Sequence, residues 1–238
     1  MADRTAVLFD VDGTLVDTNY LHTVAWWRAF RTEDITIPMS WLHATVGKGT
    51  DQFLPAILGD DLDPELARRL DEAHTHFYAP DLHGLVALPG AADLLRAVAQ
   101  AGHRVVLASS CSSAEAVHLR AAIGADDVID AMTDSGDVDA TKPNPDLVHA
   151  ALDAAGTTAD RALMVGDTVW DVHAAKRAGV ACVAVLCGGI SEAALREAGA
   201  LAIYDDPADL LARLAGSPIA ELSRLRRKDL VRAAARSG

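Results

Sequence analysis

Two aspartates one residue apart, Asp10 and Asp12, follow the apolar run Ala6–Phe9 and precede Gly13-Thr14. In an extended chain residues i and i+2 project to the same side, so both carboxylates leave the end of that run together. Two such acids repel each other, more strongly when desolvated, and call for a cation or a shared proton. They can divide labour, one as nucleophile or ligand and the other as general acid and base. An Asp-Gly turn closing a strand is the plainer alternative. Ser109-Ser110 follows the run Val105–Ala108, where hydroxyl and amide groups at a strand-to-helix junction suit phosphoryl oxygens, or where serine simply caps a helix. Lys142 stands in Thr141-Lys142-Pro143-Asn144-Pro145-Asp146, whose prolines and Asp146 mark a helix start. The helix dipole disfavours a lysine there, so an anionic partner is expected unless the lysine is only solvated. Asp167 follows the run Ala162–Val165 through Gly166, with Asp171 one helical turn further on. These are oxygen ligands of the kind hard cations take; helix capping by Asp167 is the alternative.

The elements that must position these residues repeat along the chain. Short continuous apolar runs occur at Ala6–Phe9, Arg104–Ala108, Ala162–Val165 and Val180–Val185, with a weaker one at Val128–Ala131. Runs of this length suit strands buried on both faces. Helix-like segments at Ala91–Ala101, Ser113–Ile123, Pro145–Ala155, Trp170–Ala178 and Glu192–Ala198 alternate with them, each closely followed by a glycine stop. The pattern predicts an α/β fold with a doubly wound parallel sheet. From about Thr18 to about Leu85 strand-like runs are missing, and the pattern predicts helices at Tyr20–Arg31, Ser40–Val46, Asp51–Ile57 and Pro64–Tyr78. This stretch reads as an inserted all-helical domain. Ligands of open α/β sheets sit at the carboxyl ends of the strands, so an insertion leaving strand one would lie over them as a lid. The expected division is a core of residues 1–17 and 86–215, a helical cap of 18–85 and a tail of 216–238.

The chain has 238 residues, half of them hydrophobic, and a formal charge of −13. Such acidity argues against general nucleic-acid binding; it leaves room for an anionic substrate where a bound cation inverts the local field. Cys111, Cys182 and Cys187 show no paired zinc spacing and read as free thiols of a reducing compartment. No run approaches the roughly 20 apolar residues that cross a bilayer. The expectation is a cytoplasmic protein, monomeric or homodimeric, with no membrane or nucleic-acid partner. From Ile219 onward six basic residues face two acidic ones, which reads as a helix with a solvated basic face. Trp26, Trp27 and Trp41 are expected in helix packing. His74 and His76 are two residues apart on a helix and do not converge on a metal. Cys111 lies beside Ser109 and is expected to be a buried, inert thiol.

The four stretches, in this order, resemble the four motifs of the haloacid dehalogenase-like hydrolase superfamily, and the helical insertion resembles its C1 cap. The resemblance covers about residues 6–18 and 85–214 and implies a Rossmann-like core. It implies that Asp10 attacks phosphorus, and that Asp12 serves as general acid and then general base. Ser109 and the Ser110 amide would hold a phosphoryl oxygen, and Lys142 would neutralise charge. Asp10, Asp12 (through its carbonyl), Asp167 and Asp171 would gather around Mg2+, with Asp171 as a further or more distant ligand. An aspartate at position 12 favours phosphate ester chemistry over carbon–halogen cleavage. His22 matches a cap-hinge position of beta-phosphoglucomutases, and Val46-Gly47-Lys48-Gly49-Thr50 resembles the cap specificity loop. That loop lacks the mutase arginine, for which Lys48 could substitute. The expected function is a phosphatase for a small phosphorylated metabolite, with His22, Lys48 and Thr50 selecting it. A sugar-phosphate mutase is the first alternative. A non-catalytic phosphate sensor is the second; it would have lost Asp10 or Lys142, and neither is lost.

Overall fold

The computed structural model describes residues 4–222. Six parallel strands form one sheet: β1 (Ala6–Phe9), β2 (Arg104–Ala108), β3 (Ala131–Thr133), β4 (Ala162–Gly166), β5 (Ala181–Val185) and β6 (Ala202–Tyr204). Their spatial order is β3-β2-β1-β4-β5-β6. β1 lies at the centre, with Ala6 opposite Arg104 on one side and Ala162 on the other. All four of its side chains are buried, as a strand covered on both faces requires. Val7 and Phe9 enter one apolar layer with Val105, Leu107, Val165 and Val183. Ala6 and Leu8 enter the opposite layer with Val106, Ala108, Met164 and Ala184.

Helices cover both layers. α5 (Ala91–Gln100) buries Ala91, Leu94, Leu95 and Val98 on one stripe. Together with α6 (Ser113–Ile123) and α10 (Pro207–Ala212) it closes the first layer. α7 (Asp146–Ala155), α8 (Val169–Arg177) and α9 (Glu192–Ala198) close the second. Segment 18–85 holds α1 (Asn19–Thr32), α2 (Met39–Thr45), α3 (Thr50–Leu58) and α4 (Pro64–Tyr78), followed by a 3-10 turn at Ala79–Gly84. These four helices share an apolar cluster of their own, built on Trp26, Phe30, Leu42, Phe53 and Leu70. Of the three tryptophans expected in this packing, Trp26 is buried, whereas Trp27 and Trp41 are exposed.

Other differences from the sequence pattern have local reasons. The third strand is shifted to Ala131–Thr133, because Asp130 turns its carboxylate back to accept from the Val105 amide at 3.0 Å. β6 and α10 escape the pattern because they are too short to show a period. Of the basic tail, residues 223–238 lie outside the described residues; residues 218–222 form a helical turn that buries Ile219 and Leu222 in the core. Among the described residues no helix is long and apolar enough to cross a membrane.

Candidate active site

The sheet reverses its winding between β1 and β4, and the carboxyl ends of these two strands form the switch point where such folds bind ligands. Asp10 extends β1 by one rung, its amide donating to the Val165 carbonyl at 2.9 Å. Asp167 follows β4, and Ser109 follows β2 with its amide donating to Thr133 at 3.2 Å. Sheet hydrogen bonds thus hold the Asp10 and Ser109 backbones, and Asp167 leaves the end of β4 beside them.

Below the surface lies a charge cluster. The Lys142 ammonium, 1 % exposed, is paired with an Asp10 oxygen and lies 2.8 Å from Asp171 Oδ1. The Thr14 hydroxyl lies 2.9 Å from Asp167 Oδ1 and 3.2 Å from Asp10 Oδ2, within donating reach of both. Asn19 Nδ2 donates to Asp167 Oδ2 at 2.7 Å and to the Gly188 carbonyl at 3.2 Å. Gly13 and Gly188 let the backbone close over this pair, since a Cβ on either would overlap Asp167 or Asn19. Asp171 Oδ2 accepts from the Thr168 amide and hydroxyl in a capping box that starts α8. Thr168, and not Asp167, is thus the helix cap.

The electrostatics follow from this crowding. Burial pushes the Asp10 carboxyl well above the usual range, opposed by Lys142 and reinforced by Asp171, Asp167 and Asp12. Burial and Asp171 push Asp167 up to about 7. Burial disfavours the Lys142 ammonium, yet Asp10 and Asp171 outweigh it and raise its pKa. One ammonium among four neighbouring acids leaves an excess of negative charge. Asp10, Asp167 and Asp171 can each offer a carboxylate oxygen within 4.8 Å of the others. The Asn19 Oδ1 acceptor beside them is buried without a partner. This all-oxygen donor set fits a hard divalent cation such as Mg2+.

Asp12 occupies a different environment, at the floor of a cavity of about 460 Å³. Its carboxylate accepts from Thr18 at 2.8 Å and from Ser109 at 3.0 Å, and His22 Nε2 lies 3.5 Å away. Burial opposes ionisation, but His22, Thr18 and Ser109 together hold Asp12 below its usual pKa. His22 is raised in return, Asp12 outweighing the burial that disfavours its charge. Its ring stacks on Tyr78 at 4.0 Å, and His74, stacked on Trp26, closes the row. The wall above belongs to the helical insert. Gly49 donates to the Thr141 hydroxyl at 3.1 Å, while Asp51 accepts from the Thr141 amide at 3.1 Å and from its hydroxyl. Lys48 Nζ sits 4.0 Å from the centre of the Trp170 ring, and Thr50 donates to Asp71 at 2.9 Å.

The structure thus gathers Asp10, Lys142, Asp167 and Asp171 into one cluster, of which Asp10 and Lys142 reach the cavity, and sets Asp12, His22, Ser110, Lys48 and Thr50 around it. Two details differ from the sequence expectation. The Asp12 carboxylate points to Ser109 and His22, away from the acid cluster. The Ser109 hydroxyl is engaged by Asp12 and the Cys111 amide, whereas the Ser110 hydroxyl at the cavity is buried and without a partner. Cys111 also lines the cavity, and burial pushes its thiol up, so it stays protonated. Thr14, Asn19 and Asp51 were not singled out by sequence. Only the place of Thr14 and Asn19 beside the first strand end could have signalled them.

A family model described as haloacid dehalogenase-like hydrolase matches residues 5–179. A phosphoglycolate phosphatase of Rhodospirillum rubrum is 38% identical over 217 residues, 86% of this chain and 88% of that one. The crystal structure of a hydrolase from Pseudomonas syringae superposes with a TM-score of 0.84 at 34% identity, over 90% of this chain and 99% of that one. A putative beta-phosphoglucomutase from Bacteroides vulgatus shares the fold, with a TM-score of 0.81 at 20% identity over 94% and 90%. The ordered strand-end residues, the buried cluster they form and these matches agree, and the chain belongs to the haloacid dehalogenase-like hydrolases.

Proposed function

We propose that the chain is a magnesium-dependent phosphatase that hydrolyses a small phosphate monoester, of the phosphoglycolate or sugar-phosphate type, through a phosphorylated Asp10. The observation that carries this reading is the separation of two neighbouring acids into two environments. Both line the cavity, but Asp10 is paired with a buried ammonium, while Asp12 lies among hydroxyls and a histidine. Environments that set two titratable groups apart are how one site runs nucleophilic and acid–base steps. The names of the relatives support phosphatase chemistry.

In this reading an Asp10 oxygen forms a bond to phosphorus as the ester P–O bond breaks. Asp12 hands a proton to the departing alkoxide; His22, 3.5 Å away and with a raised pKa, is the proton source within reach. Asp12 then takes a proton from the water that attacks the phosphorylated Asp10, which releases phosphate and restores the carboxylate. Ser110, with its unpartnered hydroxyl, and the adjacent amides hold phosphoryl oxygens, and Lys142 keeps Asp10 aimed. Magnesium would be held by Asp10, Asp167 and the Asp12 carbonyl, with Asp171 behind them. When bound, it supplies positive charge against the phosphoryl oxygens and the crowded acids.

The test is phosphate release from a panel of phosphorylated metabolites, with and without chelator, for the parent chain and Asp10→Asn. The expected result is turnover that needs both Asp10 and magnesium. Unchanged turnover in Asp10→Asn removes the nucleophile, and unchanged turnover in chelator removes the metal. The mutase alternative draws on Lys48 in the cavity wall. It predicts isomerisation stimulated by a bisphosphorylated sugar, with hydrolysis slow.

A further inference from the structure

We propose that the cavity selects a monophosphate whose leaving alcohol is a polyol, neutral or carrying an ammonium group, and rejects one that bears a second anion. This rests on the phosphatase reading and narrows it to the sugar-phosphate type, setting aside phosphoglycolate, whose leaving alcohol carries a carboxylate. Away from the reacting centre the cavity is lined by four acids, Asp51, Asp71, Glu115 and Asp139, and by a single cation, Lys48. Three of these acids have hydrogen-bond partners that orient them. Asp71 accepts from Thr50, Asp51 is held by Thr141, and one oxygen of Glu115 accepts from the Ser112 amide and hydroxyl at 2.7 and 2.8 Å. The field of Glu115 is felt at both His22 and Tyr78, whose pKa values it raises, so its charge acts on the cavity side of α6. Lys48 is drawn toward the Trp170 ring and, as one charge against four, offsets only part of theirs.

A second observation points the same way. The Tyr78 hydroxyl belongs to a cavity-lining side chain that is 2 % exposed, and it has no hydrogen-bond partner. Burial keeps it protonated, so it can both donate to and accept from a substrate hydroxyl. Carboxylates accept from hydroxyl and ammonium groups and repel a carboxylate or a second phosphate. Beside them the rings of Trp26, Tyr78 and His74, the last kept neutral by burial, add an uncharged surface, while the His22 ring is turned to Asp12.

Matched substrate pairs test the proposal. With magnesium present, kcat/KM is measured for glycerol 3-phosphate against 3-phosphoglycerate, and for glucosamine 6-phosphate against 6-phosphogluconate. The neutral or amine-bearing member is expected to be favoured by about tenfold or more. In Glu115→Gln, and separately in Asp71→Asn, the ratio is expected to shrink by about threefold as one repulsive charge is removed. A parent ratio near one, or one that favours the anionic member, overturns the selection; so does a ratio that neither variant changes. Calorimetric binding of the same pairs to Asp10→Asn repeats the comparison without turnover. If no pair is hydrolysed and the binding preference remains, the phosphatase reading fails and the selection stands.

Discussion

The strand-end cluster and the wall that the helical insert builds opposite it are held in different ways. In the cluster, Asp10, Lys142, Asp167 and Asp171 are all buried, and each has at least two polar partners. Across the cavity, Lys48, Thr50 and Asp71 are half-buried and held by single contacts. Chemistry that depends on charge placement is sited where relaxation is hardest, and selection where side chains can be exchanged at small cost to the fold. The two regions meet at Thr141, which Asp51 and Gly49 of the insert grip one residue before Lys142.

The sharpest way to break this contrast is Lys142→Ala. It leaves Asp10 and Asp171 buried without their cation and is expected to lower kcat by about a thousandfold. It should also cost roughly 3–5 kcal/mol of stability, read from assay and from urea unfolding. Magnesium is expected to raise the melting temperature of the parent chain by several degrees, because it would bind only the folded acids. That rise should vanish in Asp167→Asn and persist in Asp71→Asn; a rise that survives in Asp167→Asn would place the cation elsewhere. Asp51→Asn is expected to reduce kcat/KM by about tenfold with little change in melting temperature. Faster hydrogen exchange at the Thr141 amide would accompany it. A loss as large as that of Lys142→Ala would erase the distinction between the regions.

The smallest effect concerns the ring stack. Burial, with His22 adding to it, holds His74 well below its ordinary pKa. Below about pH 6.5 the unfolded chain therefore gains a proton that the folded chain refuses, so stability falls with pH, by at most ~1.4 kcal/mol per unit. His22 is shifted the other way: its contribution is complete below that value and fades as pH rises through its raised pKa. His74→Gln should remove the acid-side loss alone. Urea unfolding at pH 5.5 and 7.5 should then show the difference between parent and variant changing by about 1 kcal/mol in favour of the variant at acid pH.

The candidate centre was legible because Asp10, Asp167 and Lys142 are charged residues at strand ends or a proline-marked helix start, positions where a charge needs an explanation. Thr14 and Asn19 were not, since a threonine and an asparagine are unremarkable in a turn and gain meaning only when Asp167 arrives from far along the chain. By sequence Asp51 is an ordinary acid of a first helical turn, and only the fold sets Thr141 against it. The sequence pattern places Ser109 and Ser110 at the end of β2, but which hydroxyl is engaged depends on the direction of Asp12, and spacing does not encode that. The longer strands and α4 were readable from composition. The three-residue strands β3 and β6 exist because β2 and β5 offer them edges, and their own residues announce little.

The central place of β1 has a consequence for biosynthesis. Among the six strands β1 is made earliest, yet it pairs with neighbours about 100 and about 150 residues downstream. Until β4 emerges, the nascent polypeptide carries Asp10 without Asp167 and Asp171, and the edge of β1 that β4 will cover stays open to chaperones. The acid cluster is therefore among the last features of the core that synthesis can complete.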